Sequence, residues 1–182
     1  MKKLIIALSA VALVSATNAA AFSWKTSMTG KVYQPGTTDL VSGSYTAYLF
    51  DVSSVKQETL LTAFGAGTLD FSSYGSLSSA TLKNGGIGST DFSNETGIGG
   101  TLTGFFAALI DGKLFISGTV SATGIEGKSS TLQFNAKTAS QAAEMLAANG
   151  YQGAGWYAIP EPTSGLMILL GMAGLALRRK GA

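Results

Sequence analysis
Apolar and polar residues alternate with a period of two through most of the middle of the chain, which predicts strands. Met28, Gly30 and Val32 alternate with Thr29, Lys31 and Tyr33 before Gln34-Pro35-Gly36 turns the chain. Residues 44–50 are rich in aromatics and predict a strand covered at least partly on both faces. Residues 101–110 are apolar on both faces at their end. Residues 114–122 then alternate Leu114, Ile116, Gly118, Val120 and Ala122 against Phe115, Ser117, Thr119 and Ser121. Asp111-Gly112 between them suits a type I′ turn, which needs positive φ at both central positions, so the segment predicts a central hairpin. Residues 131–136 form a further strand with Leu132, Phe134 and Ala136 inward, and residues 156–159 a last one.

Two stretches switch to a helical period. Ser54 opens one, with Gln57 as its capping-box partner, Leu60, Leu61 and Phe64 as its apolar side and Gly65 as its end. Thr138 opens the other, with Gln141 as box partner and an Ala139, Ala142, Ala143, Leu146, Ala147 stripe closed by Gly150. From Gly67 to Gly100 the chain is thick with Gly, Ser, Thr and Asn. There residues 68–71 and 78–83 predict short strands, and residues 91–96 a loop between Gly-rich ends. Seven or eight short strands with two short helices predict a mainly β domain, an antiparallel β-sandwich, with a barrel as the alternative.

The alternation fails at both ends of the chain. Lys2 and Lys3 precede an apolar run over residues 4–14, and small residues gather at Thr17, Ala19, Ala20 and Ala21. That is the form of a secretory signal peptide, residues 1–21, with cleavage after Ala19, Ala20 or Ala21. At the other end, residues 159–182 carry Pro160-Glu161-Pro162, an apolar helix candidate over residues 165–177 and the cations Arg178, Arg179 and Lys180. The apolar run reaches only about 20 Å at ~1.5 Å per residue, short of the ~30 Å hydrocarbon core, yet it is apolar all round in the manner of a membrane helix. Both basic clusters belong on the cytoplasmic side, which puts residues 22–158 across the inner membrane.

The order Pro160-Glu161-Pro162, short helix, Arg178-Arg179 resembles the PEP-CTERM sorting signal of exported bacterial proteins. The resemblance covers the last two dozen residues. It implies processing of the tail by a membrane-embedded exosortase, a Gram-negative-type envelope and, often, an exopolysaccharide or biofilm setting. The expected partners are thus the secretion machinery, the inner membrane before processing, an exosortase-like enzyme and, as a candidate, exopolysaccharide.

Charge and composition change this picture in one direction. The formal net charge of +2 includes five cations in the two end segments, Lys2, Lys3, Arg178, Arg179 and Lys180. Between Lys25 and Glu144 stand seven lysines against nine acids, a net charge of −2, and no basic stripe suggests nucleic acid. The chain has no Cys and no His, which excludes disulfides, thiol catalysis, a Ser-His-Asp triad and thiolate or imidazole metal sites.

The remaining chemistry is carboxylate chemistry. Asp39, Asp51, Glu58, Asp70, Asp91, Glu95, Asp111, Glu126 and Glu144 are spread along the chain, and a glycosidase needs two of them facing each other across about 5–10 Å. Asp111 is a turn residue, Asp51 lies at a strand end and Glu144 on a polar helix face, so no enzyme and no cofactor is expected. Asp91, Asn94 and Glu95 offer oxygens to Ca²⁺ but lack the dense acidic spacing of a calcium loop, and a solvated loop without metal is expected. The same residues give the sequon Asn94-Glu95-Thr96, too short a pattern to carry weight. Trp24, Tyr33, Tyr45, Tyr48, Tyr74, Trp156 and Tyr157 offer flat faces for a sugar platform, against burial of the strand residues Tyr48 and Trp156 in the core, which is the expectation. The whole predicts a non-catalytic structural or adhesive protein of the cell surface or extracellular matrix. A carbohydrate-binding module acting on exopolysaccharide is the alternative.

Overall fold
A ten-residue strand, β6 (Thr101–Ile110), is the spine of the domain, and both of its faces are covered because its residues are apolar on both. The computed structural model describes residues 19–159. Before β6 come β1 (Ala19–Thr26), β2 (Ser44–Asp51), β3 (Ser78–Lys83), β4 (Gly86–Ile87) and β5 (Thr90–Gly97). After it come β7 (Lys113–Ile116), β8 (Val120–Thr123), β9 (Ser130–Phe134), β10 (Met145–Leu146) and β11 (Gly155–Ala158). The helices are α1 (Gln57–Gly65) and the five-residue α2 (Lys137–Gln141). The main sheet runs β10-β11-β7-β6-β2-β3-β4 with β8 beside β6, and a smaller sheet runs β5-β1-β9. Both sheets are open, so the barrel alternative does not hold.

Strand alternation sorts the main sheet's side chains between two cores. Ala47, Leu49, Phe106, Phe115 and Trp156 meet Phe22, Trp24, Leu132 and Phe134 of the small sheet. The rings interlock there, with centroids 6.0 Å apart for Trp24–Phe106 and 5.2 Å for Phe106–Phe134. On the opposite face Phe50, Phe105, Ala107, Leu114, Ile116 and Tyr157 pack under Leu60, Leu61 and Phe64 of α1. Two sheets thus share one core and a short helix covers the other. The pairing is mixed where antiparallel pairing was expected, since β1–β9 and β10–β11 are parallel. Short turns impose antiparallel pairing on neighbours in sequence, but β1 and β9 are joined by the rest of the domain and are free of that constraint.

The expected hairpin forms at its turn and over the first residues of its second arm, β6 pairing with β7 from Ile110↔Lys113 to Ala107↔Ile116. Asp111 (φ 49°) and Gly112 (φ 77°) make its turn. Asn84 (φ 49°) and Gly85 (φ 69°) make an equivalent turn between β3 and β4, with the Asn-Gly pair that such a turn favours. Residues 114–122 are not one strand. The pairs Leu109↔Leu114 and Ala107↔Ile116 give way to Gly104↔Val120 and Leu102↔Ala122, so that Ser117, Gly118 and Thr119 oppose only Phe105 and Phe106. One extra residue flips the side chains: Leu114 and Ile116 point into one core, Val120 and Ala122 toward the other.

Ser117 repairs the ladder at this bulge. Its hydroxyl oxygen accepts the Phe106 N–H (2.9 Å) while its own carbonyl accepts the Gln57 side-chain amide (2.7 Å). Ser117→Ala is therefore expected to leave a buried N–H without that partner and to cost about 1–3 kcal/mol, with Ser117→Thr recovering part of the loss. Urea unfolding of the three proteins measures it.

Other local expectations yield to tertiary hydrogen bonds. Gln57 is no capping-box partner of Ser54: α1 begins at Gln57 behind Lys56, which makes no side-chain cap, and the Gln57 amide is used on Ser117. Residues 28–33 are irregular, because their backbone groups answer to scattered partners: Val32 N–H to Gly85 and Ala136 N–H to the Gly30 carbonyl. Residues 68–71 lead into a short 3₁₀ turn, Phe71–Tyr74, whose Ser72 N–H is capped by Asp70. The second helix stops at Gln141. The carbonyls that would continue it are taken elsewhere, Ser140 by the Trp156 indole and Ala142 by the Gly36 N–H, and Met145–Leu146 pairs with β11 instead. Residues 91–96 lie in β5, an edge strand on β1, where a loop was expected.

Candidate functional site
The tail motif is joined to the domain through β11, and β11 is held from every side. It pairs with β7 antiparallel and with β10 parallel. Trp156 enters the core between the sheets, 1% exposed, against Phe115 (centroids 5.1 Å apart), and its Nε1–H is shared by the carbonyls of Ser140 (2.9 Å) and Tyr33 (3.1 Å). Tyr157 points the other way and is fully buried, its hydroxyl donating to the Gly153 carbonyl (2.6 Å) and accepting from the Gln152 N–H (3.0 Å). It stacks on Tyr151 at 6.1 Å. Burial pushes the Tyr151 hydroxyl up to about 12 and raises that of Tyr157, so both stay neutral across the physiological range.

After this anchorage Ala158 is half-buried, Ile159 is exposed, and Pro160 follows directly. Ile159 alone separates the strand from the motif in sequence. Pro160, Glu161, Pro162, Arg178 and Arg179, with the apolar stretch 165–177, lie outside the described residues, as does most of the expected signal peptide. Among the described residues no helix is long and apolar enough to cross a membrane.

The other candidates are dispersed. Trp24 is buried with Nε1–H on Ser78 Oγ (3.1 Å), Tyr48 packs on Phe71 at 4.8 Å, and Trp156 and Tyr157 are enclosed on opposite faces of the main sheet. Tyr45 packs at the border of the core between the sheets and donates to Asp111 Oδ1 (2.8 Å), a bond to a carboxylate that raises its own pKa. The seven aromatics do not form one platform. Among the carboxylates, Asp111 accepts from Tyr45, Asp51 from the Ser53 N–H, Asp70 caps its turn and Glu144 pairs with Lys113. Surface depressions beside Glu58, Asp70 and Glu126 hold one carboxylate each. Asp91 and Glu95 are exposed on β5, while Asn94 alternates to the other face and turns its oxygen to Thr96, so the three do not converge. Among the described residues no group of three acids is placed to hold a metal.

A family model of the PEP-CTERM protein-sorting motif matches residues 158–180, from the last residue of β11 through the basic cluster. No curated protein and no solved structure matches the chain. The motif implies export, membrane-associated sorting at the C-terminus and processing by an exosortase-like enzyme.

Proposed function
We propose that this chain is a non-catalytic surface or extracellular-matrix protein that a signal peptide exports and that the tail holds in the inner membrane until an exosortase-like enzyme removes it. The observation that carries this reading is the sorting motif at residues 158–180, directly behind a strand pinned in the main sheet. Pro160 and Pro162 lack amide donors and have fixed φ, which keeps the motif extended and Glu161 accessible. Residues 165–177 are too short to match a bilayer well, and Arg178, Arg179 and Lys180 stop transfer with the domain outside. The use of Asp51, Asp70, Asp111 and Glu144 in turns, a cap and an ion pair supports a structural role over catalysis for those four carboxylates.

Changing Pro160-Glu161-Pro162 to three alanines is expected to leave membrane insertion intact and abolish processing, while deleting residues 178–180 impairs retention. The measurement is intact-mass spectrometry of membrane and surface fractions from a host with the cognate exosortase. Wild-type surface protein still ending at Ala182 would make the tail an ordinary short anchor and end the sorting reading.

A further inference from the structure
Of the three candidate bonds for leader removal, the small-residue rule at the first and third positions before the cut is met after Ala19 (Thr17, Ala19) and after Ala21 (Ala19, Ala21) but not after Ala20, which has Asn18 there. Between the cuts after Ala19 and Ala21 size alone does not decide. The fold does. Ala20 is 2% exposed and belongs to the core between the sheets with Phe22 and Trp24, whereas Ala19 and Ala21 face solvent. A Cβ on Gly124 would fall 2.7 Å from the Ala20 methyl and 2.9 Å from the Gly97 carbonyl oxygen, so the chain keeps a glycine where Ala20 is seated. The pairing with β5 makes the same division. Ala20↔Asn94 and Ala21↔Ser93 continue the ladder of Phe22↔Phe92, while a register irregularity separates Ala19 from Ala20.

Building on the export reading, we infer that the leader is hydrolysed at the Ala19–Ala20 bond and that the mature chain begins at Ala20. Water adds across that bond, leaving a carboxylate on the Ala19 of the leader and an ammonium on Ala20. Loss of Ala19 removes only an exposed residue beyond the regular ladder. The new ammonium on Ala20 then stands at the rim of a surface depression that Ala19, Ala20 and Ala21 line with Glu126 and Lys128, where water can solvate it. A cut after Ala20 empties the slot over Gly124, and a cut after Ala21 strips a second rung from β5 as well.

The test is the N-terminal residue of the full chain exported by a Gram-negative host, read by mass spectrometry of the N-terminal peptide, for wild type and for Ala21→Gln. Residue 21 is exposed, so this variant spares the fold, and it blocks only the cut after residue 21 by placing a large side chain before that bond. Both proteins are expected to begin at Ala20. A wild-type product beginning at residue 21, at Phe22 or upstream of Ala20, or accumulation of uncleaved Ala21→Gln beside processed wild type, overturns the inference. Wild-type protein that keeps Met1 refutes the export reading itself.

Discussion

Replacing Trp156 with alanine is expected to lower the stability of the exported protein by about 3–5 kcal/mol, the cost typical of removing a large buried aromatic. Three losses coincide at this residue: the ring against Phe115, the core volume between the sheets, and the N–H that the Tyr33 and Ser140 carbonyls share. Trp156→Phe separates them. It keeps most of the ring but leaves two carbonyls without their shared donor, and about 1–3 kcal/mol of the loss should persist. Because β11 is the strand from which the sorting motif leaves, the alanine variant should also loosen residues 155–159 before the rest of the domain unfolds. Denaturant melts of the three proteins give the energies, and amide exchange across β11 reports the loosening. A Trp156→Ala protein within 1 kcal/mol of wild type on this scale would mean that the tail's anchorage lies elsewhere.

The second large effect is at Gly85, and its neighbour in kind, Gly112, supplies the control. Both occupy the second position of an Asx-Gly turn, at φ 69° and 77°. Valine at either position has to adopt a backbone conformation that costs about 1–3 kcal/mol for a residue with a side chain. At Gly112 nothing lies within 4 Å of the added Cβ, and the cost stops there. At Gly85 the Cβ would stand 2.3 Å from the Val32 carbonyl oxygen, and the Gly85 carbonyl itself accepts the Val32 N–H (2.7 Å), so the two backbones cannot part without losing that bond. Overpacking adds about 1–3 kcal/mol more. Gly85→Val is therefore expected to melt well below Gly112→Val, and Gly112→Val below wild type. Equal melting temperatures for the two variants would contradict the close approach of the loop at residues 27–43 to the β3–β4 turn.

What the sequence determined by itself is what depends on short-range physics. The Asp111-Gly112 turn, β2, β3, β6, β9 and β11 are legible because side-chain alternation and positive-φ turn residues act within a few positions along the chain. The sorting tail is more local still, a string of Pro-Glu-Pro, apolar run and cations that needs no fold to be recognised. Tertiary structure decided wherever a backbone group had a distant competitor. The second helix yields to the Trp156 indole and the Gly36 N–H, Gln57 leaves its capping role for the Ser117 carbonyl, and the loop expected at residues 91–96 becomes β5 because β1 offers it a ladder. The bulge at Ser117 was equally hidden. An even alternation from Leu114 to Ala122 carries no mark of the one extra residue that turns Val120 and Ala122 to the other core, since only the partner strand β6 reveals that three residues oppose two.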